Sequence, residues 1–207
     1  MTTLTADQAI ERARQLLNHR PGRVILGIAG APGAGKSHLS SALVSAIPGS
    51  VVVGMDGFHL AHSTLMARGQ VGRKGAIDTF DAHGYIALLQ RIREQGDETV
   101  WAPEFRREVE DAIAGAVEVS PATRLVITEG NYLLVDSPPW HRVRELCDEV
   151  WFADPGEEVR LERLVARHIR YGRDREQALL RATQGTDGHN ARLASSTRER
   201  ADAVVRA

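Results

Sequence analysis

Residues Gly30-Ala31-Pro32-Gly33-Ala34-Gly35-Lys36-Ser37 follow the pattern G-x-x-x-x-G-K-S, whose residue types suit a nucleoside triphosphate. The glycines let the backbone curl until its N–H groups point inward at phosphate oxygens. A helix starting at Lys36 would present its positive end to the same charge. Lys36 is expected to reach the β- and γ-phosphates of ATP, and the Ser37 hydroxyl to bind Mg2+. His38 is counted with the nucleotide-binding residues. The chain has no G-x-G-x-x-G element, so a dinucleotide fold finds no support.

Other candidates follow buried runs. Asp56 comes after Val51-Val52-Val53-Gly54 and before Gly57, where a carboxylate can orient an acceptor hydroxyl and take its proton. A plain Asp-Gly turn is the alternative. Glu129 ends Leu125-Val126-Ile127-Thr128, in position to hold magnesium or its waters, with polar Asn131 and Tyr132 directly after it. Arg163, Arg167, Arg170 and Arg173 recur at helical spacing up to an interruption at Gly172. Arg167 and Arg173, which bracket that turn, are expected to stabilise charge on a transferring phosphoryl group. With Glu157, Glu158 and Glu162 nearby, an ordinary salt-bridged face is the alternative. His59 is a candidate substrate ligand. Tyr132, with Trp101, Phe105 and Trp140, is a candidate to line an organic pocket, although aromatic side chains more often belong to the core. The histidines form no zinc signature.

These residues need elements to carry them. Apolar spacing predicts a helix over 5–18, a buried strand over 24–29, a helix over 36–46 and a second buried strand over 51–54. Residues 61–82 lack a sustained period and read as a long irregular excursion, a length that usually serves a function. Further on, a helix is expected over 83–94, a short strand over 98–101, a short helix over 106–114 and a buried strand over 125–128. A helix over 140–146, a strand over 149–153, helices over 156–171 and 173–183, a short helix over 190–197 and a terminal strand over 203–205 complete the order. Alternating strands and helices predict an α/β fold, a mostly parallel sheet with helices on both faces. Ligands in such sheets gather beyond the carboxyl ends of the strands, where Gly30, Asp56, Glu129 and Asp154 fall.

The 207 residues provide for one well-packed core, read as one domain over 1–207 with a small helical lid at about 163–183. A net charge of -1 with mixed signs gives no global attraction to nucleic acid or an acidic membrane. One cysteine, Cys147, excludes an intrachain disulfide. No apolar stretch long enough for a secretion signal or membrane span is present, so a cytoplasmic protein is expected. Lys36 and Lys74 are the only lysines in a chain that otherwise uses arginine, and both adjoin glycine.

In addition to the glycine-rich loop, Val53 to Leu60, Arg73-Lys74-Gly75-Ala76, Thr79-Phe80-Asp81, Glu129-Gly130-Asn131-Tyr132-Leu133-Leu134 and Arg167-His168-Ile169 stand in one order. From about Arg23 onward the chain thereby resembles the P-loop family of uridine kinase, phosphoribulokinase and bacterial pantothenate kinase. It most resembles the short bacterial branch labelled nucleoside/nucleotide kinase-like or fructose transport system kinase. The resemblance implies a P-loop nucleoside triphosphate hydrolase fold, with ATP and Mg2+ as cofactors. It implies that Asp56 is the catalytic carboxylate, Arg73 and Lys74 line the acceptor site, Glu129 adjoins magnesium and Asn190 lies near the nucleotide.

The resulting expectation is a kinase for a hydroxyl of a nucleoside, sugar or pantothenate-like metabolite, with a small-molecule substrate as partner rather than nucleic acid or membrane. A nucleotide-dependent switch acting on a protein partner is the competing class. Oligomeric state is left open, a homodimer included.

Overall fold

The computed structural model describes residues 1–206. In chain order the elements are β1 (Thr2–Leu4), α1 (Ala6–His19), β2 (Val24–Ala29), α2 (Lys36–Ala46), β3 (Ser50–Gly54), α3 (His62–Ala67), α4 (Ala82–Arg93), β4 (Val100–Arg106) and β5 (Asp111–Val119). Then come β6 (Leu125–Gly130), α5 (His141–Glu145), β7 (Glu149–Ala153), α6 (Glu157–Arg170), α7 (Arg175–Thr183), α8 (Thr186–Ser196) and β8 (Ala203–Val205). Local chemistry sets several of the boundaries. Thr5 and Gln8 cap α1 reciprocally, Asp81 accepts from the Gly84 amide to start α4, and Asp174 accepts from the Gln177 amide to start α7.

The main sheet runs β1-β8-β7-β2-β6-β3, and each of its pairings is parallel. Period-two alternation divides its side chains between two layers. Val24, Leu26, Ile28, Leu125, Ile127, Trp151 and Ala153 pack on the face of α1 and α2. Ile25, Val126, Val150 and Phe152 pack on the opposite face with Tyr85, Leu89 and Val143 of α4 and α5. Burial on both faces explains why β2, β6 and β7 read as continuous apolar runs. Within this core the Tyr85 hydroxyl meets Thr128 Oγ1 at 2.5 Å, and Thr128 in turn donates to Val53 O at 2.7 Å. At the amino ends of β2 and β7, the buried Asp148 carboxylate pairs with Arg20 and Arg93 and accepts from the Ile25 amide.

β2 lies between β6 and β7. The loop at its carboxyl end therefore opens beside Glu129 on one neighbouring strand, while β3 brings Asp56 in from beyond β6. Strand order reverses about β2, and the crevice this creates is the expected ligand position.

The structure differs from expectation in three places. The helix expected over 106–114 is instead half of an antiparallel hairpin, β4 with β5, because pairing from Val100–Val119 to Arg106–Asp111 overrides the helical leaning of its Arg, Glu and Ala residues. β1 escapes periodicity altogether, since three residues are stable as a strand only through their pairing with β8. The 61–82 excursion is largely irregular, but contains α3 and two single 3-10 turns, at Val71–Arg73 and Ile77–Thr79.

Two glycines mark where backbone must approach closely. A Cβ on Gly57 would lie 2.5 Å from the Pro103 carbonyl, so the Asp56 turn and the hairpin touch main chain to main chain. On Gly130 it would lie 2.6 Å from both Cβ and Sδ of Met55, the residue before Asp56. Gly130→Ala is therefore expected to cost about 1–3 kcal/mol in urea unfolding. Gly96→Ala, at an exposed site with nothing within 4 Å, should shift stability by less than about 0.5 kcal/mol. Equal effects of the two would contradict the packing described.

Candidate active site

The carboxyl ends of β2, β3 and β6 open into a cleft of about 340 Å³. One wall is the glycine-rich loop and the start of α2, another the Asp56 turn, a third the 74–75 stretch with the β4–β5 hairpin, and the last α6 to α8.

The loop is held in shape from outside as well as from within. Gly33 has φ +86, and a Cβ there would sit 2.5 Å from Arg160 O, so α6 lies directly against the loop. Only glycine combines that conformation with that proximity. Arg160, 5% exposed, donates to Pro32 O at 2.9 Å while its other nitrogens pair with Glu157. Ala31 packs against Ala191 and Ala194 of α8. Within this frame the Lys36 ammonium donates to Gly30 O at 2.9 Å, Ala31 O at 3.1 Å and Asn131 Oδ1 at 2.8 Å. Burial brings Lys36 down to about 8, although Glu129 and Asp56 favour its charge.

Ser37 Oγ donates to Glu129 Oε2 at 3.1 Å. Burial pushes the Glu129 carboxyl above the usual range, with Lys36 opposing. The Asp56 side chain is half exposed to the cleft. Its own carbonyl oxygen lies 2.8 Å from His59 Nδ1, which fixes the imidazole against Phe80 and Phe105, with ring centroids at 4.0 and 4.9 Å. Burial lowers the His59 pKa and favours the neutral ring.

Lys74 hydrogen-bonds the Glu110 carbonyl and sits 5.2 Å over the Phe105 ring. Next to it, the Gly75 carbonyl accepts from Tyr132 at 2.7 Å and from Asn190 at 2.8 Å, tying the 74–75 stretch to the segment after β6 and to α8. Arg167, Arg173 and Tyr171 face the cleft from the end of α6 and the turn beyond. Burial lowers the Arg167 pKa, and the nearby guanidinium of Arg107 lowers it further. His168 and Arg181 converge on Asp187, at 2.7 and 3.5 Å, joining α6, α7 and the start of α8.

The cleft thus brings together Pro32, Lys36, Ser37, Asp56, His59, Lys74, Glu129, Arg167, Arg173 and Asn190. Gly30 and Ala31 reach it through the carbonyls that hold Lys36, and Gly33, Ala34 and Gly35 complete the loop. Three expected residues are not gathered there. Arg73 turns outward to Asp78 at 2.8 Å, since the 3-10 turn at 71–73 leaves its side chain exposed. Tyr132 is buried between Phe80 and Trp140, and only its hydroxyl reaches toward the site, through Gly75. His38 stands exposed on α2, outside the cleft lining. Asn190 lines the cleft, but its amide is engaged with Gly75 rather than free toward the nucleotide side.

Sequence reasoning missed Arg160, Arg107 and Asn131. Arg160 stands one turn before Leu164 on the buried face of α6, a signal visible in the helical spacing. Arg107 was hidden by the mistaken helix. Asn131 reads in the sequence only as a polar residue after a buried strand, and nothing local to it reveals that it meets Lys36.

A protein of Schizosaccharomyces pombe provisionally named a uridine kinase, C227.14, is 35% identical over 79% of this chain and 73% of its own length. An ATP-dependent kinase-like protein of Aspergillus versicolor, notR', is 38% identical over 57% of this chain and 73% of its own. A crystal structure from Silicibacter sp. TM1040, provisionally described as a fructose transport system kinase, superposes with a TM-score of 0.87 at 38% identity, over 97% of this chain and 98% of that one. The fold is that of the P-loop kinases. Residues 25–205 match the family model described as phosphoribulokinase / uridine kinase, and the chain belongs to that family.

Proposed function

We propose that the protein transfers the γ-phosphoryl group of ATP to a hydroxyl of a small metabolite. The observation that carries this reading is the facing of two groups across one cleft. The Lys36 ammonium sits in the curl of the glycine-rich loop, and the Asp56 carboxylate is accessible opposite it.

In this reading, the loop amides and Lys36 hold the phosphates, the lysine exchanging the neutral carbonyl acceptors of Gly30 and Ala31 for anionic phosphate oxygens. Asp56 takes the proton of the acceptor hydroxyl as its oxygen bonds to the γ-phosphorus and the bridging bond to the β-phosphate breaks, releasing ADP. His59, neutral and locked by the Asp56 carbonyl, shapes the acceptor side. Arg167 and Arg173 offset charge on the transferring group, as part of a lid at about 163–183 within one kinase domain.

Mg2+ fits the residues present. Magnesium keeps several waters and needs one or two protein oxygens beside the phosphates, and Ser37 Oγ and the Glu129 carboxylate supply them. Among the described residues there is no larger His, Cys, Asp and Glu cluster for a dedicated cage. When bound, it would neutralise charge on the β- and γ-oxygens. No helix among the described residues is long and apolar enough to cross a membrane.

Asp56→Asn is expected to lower the turnover number by about 10²–10⁴-fold in a coupled ADP assay while leaving ATP affinity nearly intact. Undiminished turnover would remove Asp56 from the mechanism. Because the charged lysine binds phosphate and its pKa in the free protein is about 8, ATP should bind well below pH 8. Affinity should then weaken toward tenfold per pH unit above that value, until the raised pKa of the complex is reached. Calorimetric titration at pH 7 and pH 9 tests this, and equal affinities would show that no loss of charge at Lys36 weakens binding over that range.

A further inference from the structure

The Lys36 ammonium has three protons to donate, and all three are spent on oxygens: Gly30 O, Ala31 O and Asn131 Oδ1. The first two belong to the loop itself, and phosphate oxygens replace them in the kinase reading. Asn131 differs, because it comes from another strand end. The parallel register of β2 and β6 pairs Ala29 with Gly130, so that one step further on Asn131 follows the strand end beside Gly30, where the loop begins. Its main chain is fixed on both sides. Gly130 before it is packed against Met55 and Leu133, and Tyr132 after it is fully buried with its hydroxyl on Gly75 O. A side chain carried on such a point is preorganised at no cost when a ligand arrives.

Which end of the amide meets Lys36 is forced. An ammonium only donates, so it takes the oxygen and leaves Nδ2 as the other end. Nδ2 has no hydrogen-bond partner, and among the described residues the buried side-chain atoms without one are Gln70 Oε1 and His141 Nδ1. Since Asn131 lines the cleft, its NH2 group opens into it. The neighbouring carboxylates of Glu129 and Asp56, both near enough to act on Lys36, present oxygens that repel a phosphoryl group. Asn131 Nδ2 is the neutral donor set among them. Only one carbon separates it from the oxygen that holds the ammonium, so a phosphate oxygen drawn to Lys36 comes close to Nδ2 as well.

We propose that Asn131 is a catalytic residue acting through both ends of one amide: Oδ1 keeps hold of Lys36 when the loop carbonyls are given up, and Nδ2 donates to a γ-phosphoryl oxygen of ATP. This rests on the kinase reading above. The amide neither takes nor loses a proton. It ties the ammonium and the transferring group to one fixed point beyond β6, which aims the lysine at the γ-phosphate instead of back into the loop.

The protein is titrated calorimetrically with ADP and Mg2+, with and without beryllium fluoride, which takes the place of a γ-phosphoryl group beside bound ADP. Work at about pH 6, below the Lys36 value of about 8, keeps the ammonium charged throughout. Beryllium fluoride is expected to tighten ADP binding to the wild-type protein, and in Asn131→Ala that gain should fall at least about tenfold, the worth of one hydrogen bond to a charged oxygen. Asn131→Asp keeps the shape of the side chain and gives Lys36 an oxygen at least as good, but it offers no donor. Its gain should be lost as well. A gain unchanged in Asn131→Ala, or restored in Asn131→Asp, overturns the inference and leaves the kinase reading standing, because Asn131 then serves only as an oxygen for Lys36. So does wild-type ADP binding that beryllium fluoride leaves unchanged. Failure of the wild-type protein to bind ADP at all would defeat the kinase reading and this inference with it.

Discussion

The interaction on which the rest of the site depends is the seating of the Lys36 ammonium on the Gly30 and Ala31 carbonyls and the Asn131 amide. A charge this enclosed persists only if oxygen atoms surround it, and its lowered pKa records how nearly burial wins. Those oxygens belong to different parts of the fold. The loop carbonyls come from the end of the central strand, the amide from beyond β6, and the loop is steadied by Arg160 of α6 and by the alanines of α8. Any change in the placement of those elements relative to the sheet alters the electrostatics of one amine.

A second tie extends this frame to the opposite wall. Gly75 O gathers the Tyr132 hydroxyl from the core and the Asn190 amide from α8. Asp187, three residues before Asn190, is bound to His168 on α6 and Arg181 on α7. Lys74 is thus positioned by the same helix, α8, that is tied to α6 and α7 and packs on the glycine-rich loop. A shift of α6 or α7 would be felt at Lys74 through α8, which gives the two walls of the cleft a physical connection.

Much of this was legible because sheet burial writes itself into composition. β2, β6 and β7 are buried on both faces, so their apolar runs stand out; β3, expected to be buried like them, ends the sheet and only Val53 of it is buried, yet its valines carry the same signal, and the residues following all four strands mark the functional edge without any knowledge of contacts. The glycine-rich loop is legible for a different reason: phosphate recognition by main chain demands glycine at fixed intervals. The hairpin was not legible, because a strand whose partner is one turn away and whose outer face is solvated carries helix formers without penalty. Arg73 and Tyr132 show another limit. Residue type indicates what a side chain can do, but the turn at 71–73 and the aromatic cluster of Phe80 and Trp140 decide where it points. Arg160 shows the converse, a charged residue on the buried face of α6, tolerated there because a carbonyl and a carboxylate satisfy it.

The central claim is that this cleft moves a phosphoryl group to a metabolite instead of merely spending ATP. Mass spectrometry of reactions containing ATP, Mg2+ and a mixture of hydroxy acids, sugar phosphates, sugars, nucleosides and pantothenate tests it most directly, with ADP followed in parallel. The account predicts one compound that gains a single phosphoryl group in step with ADP formation. ADP accumulating with free phosphate alone, or only when a protein partner is added, would contradict it.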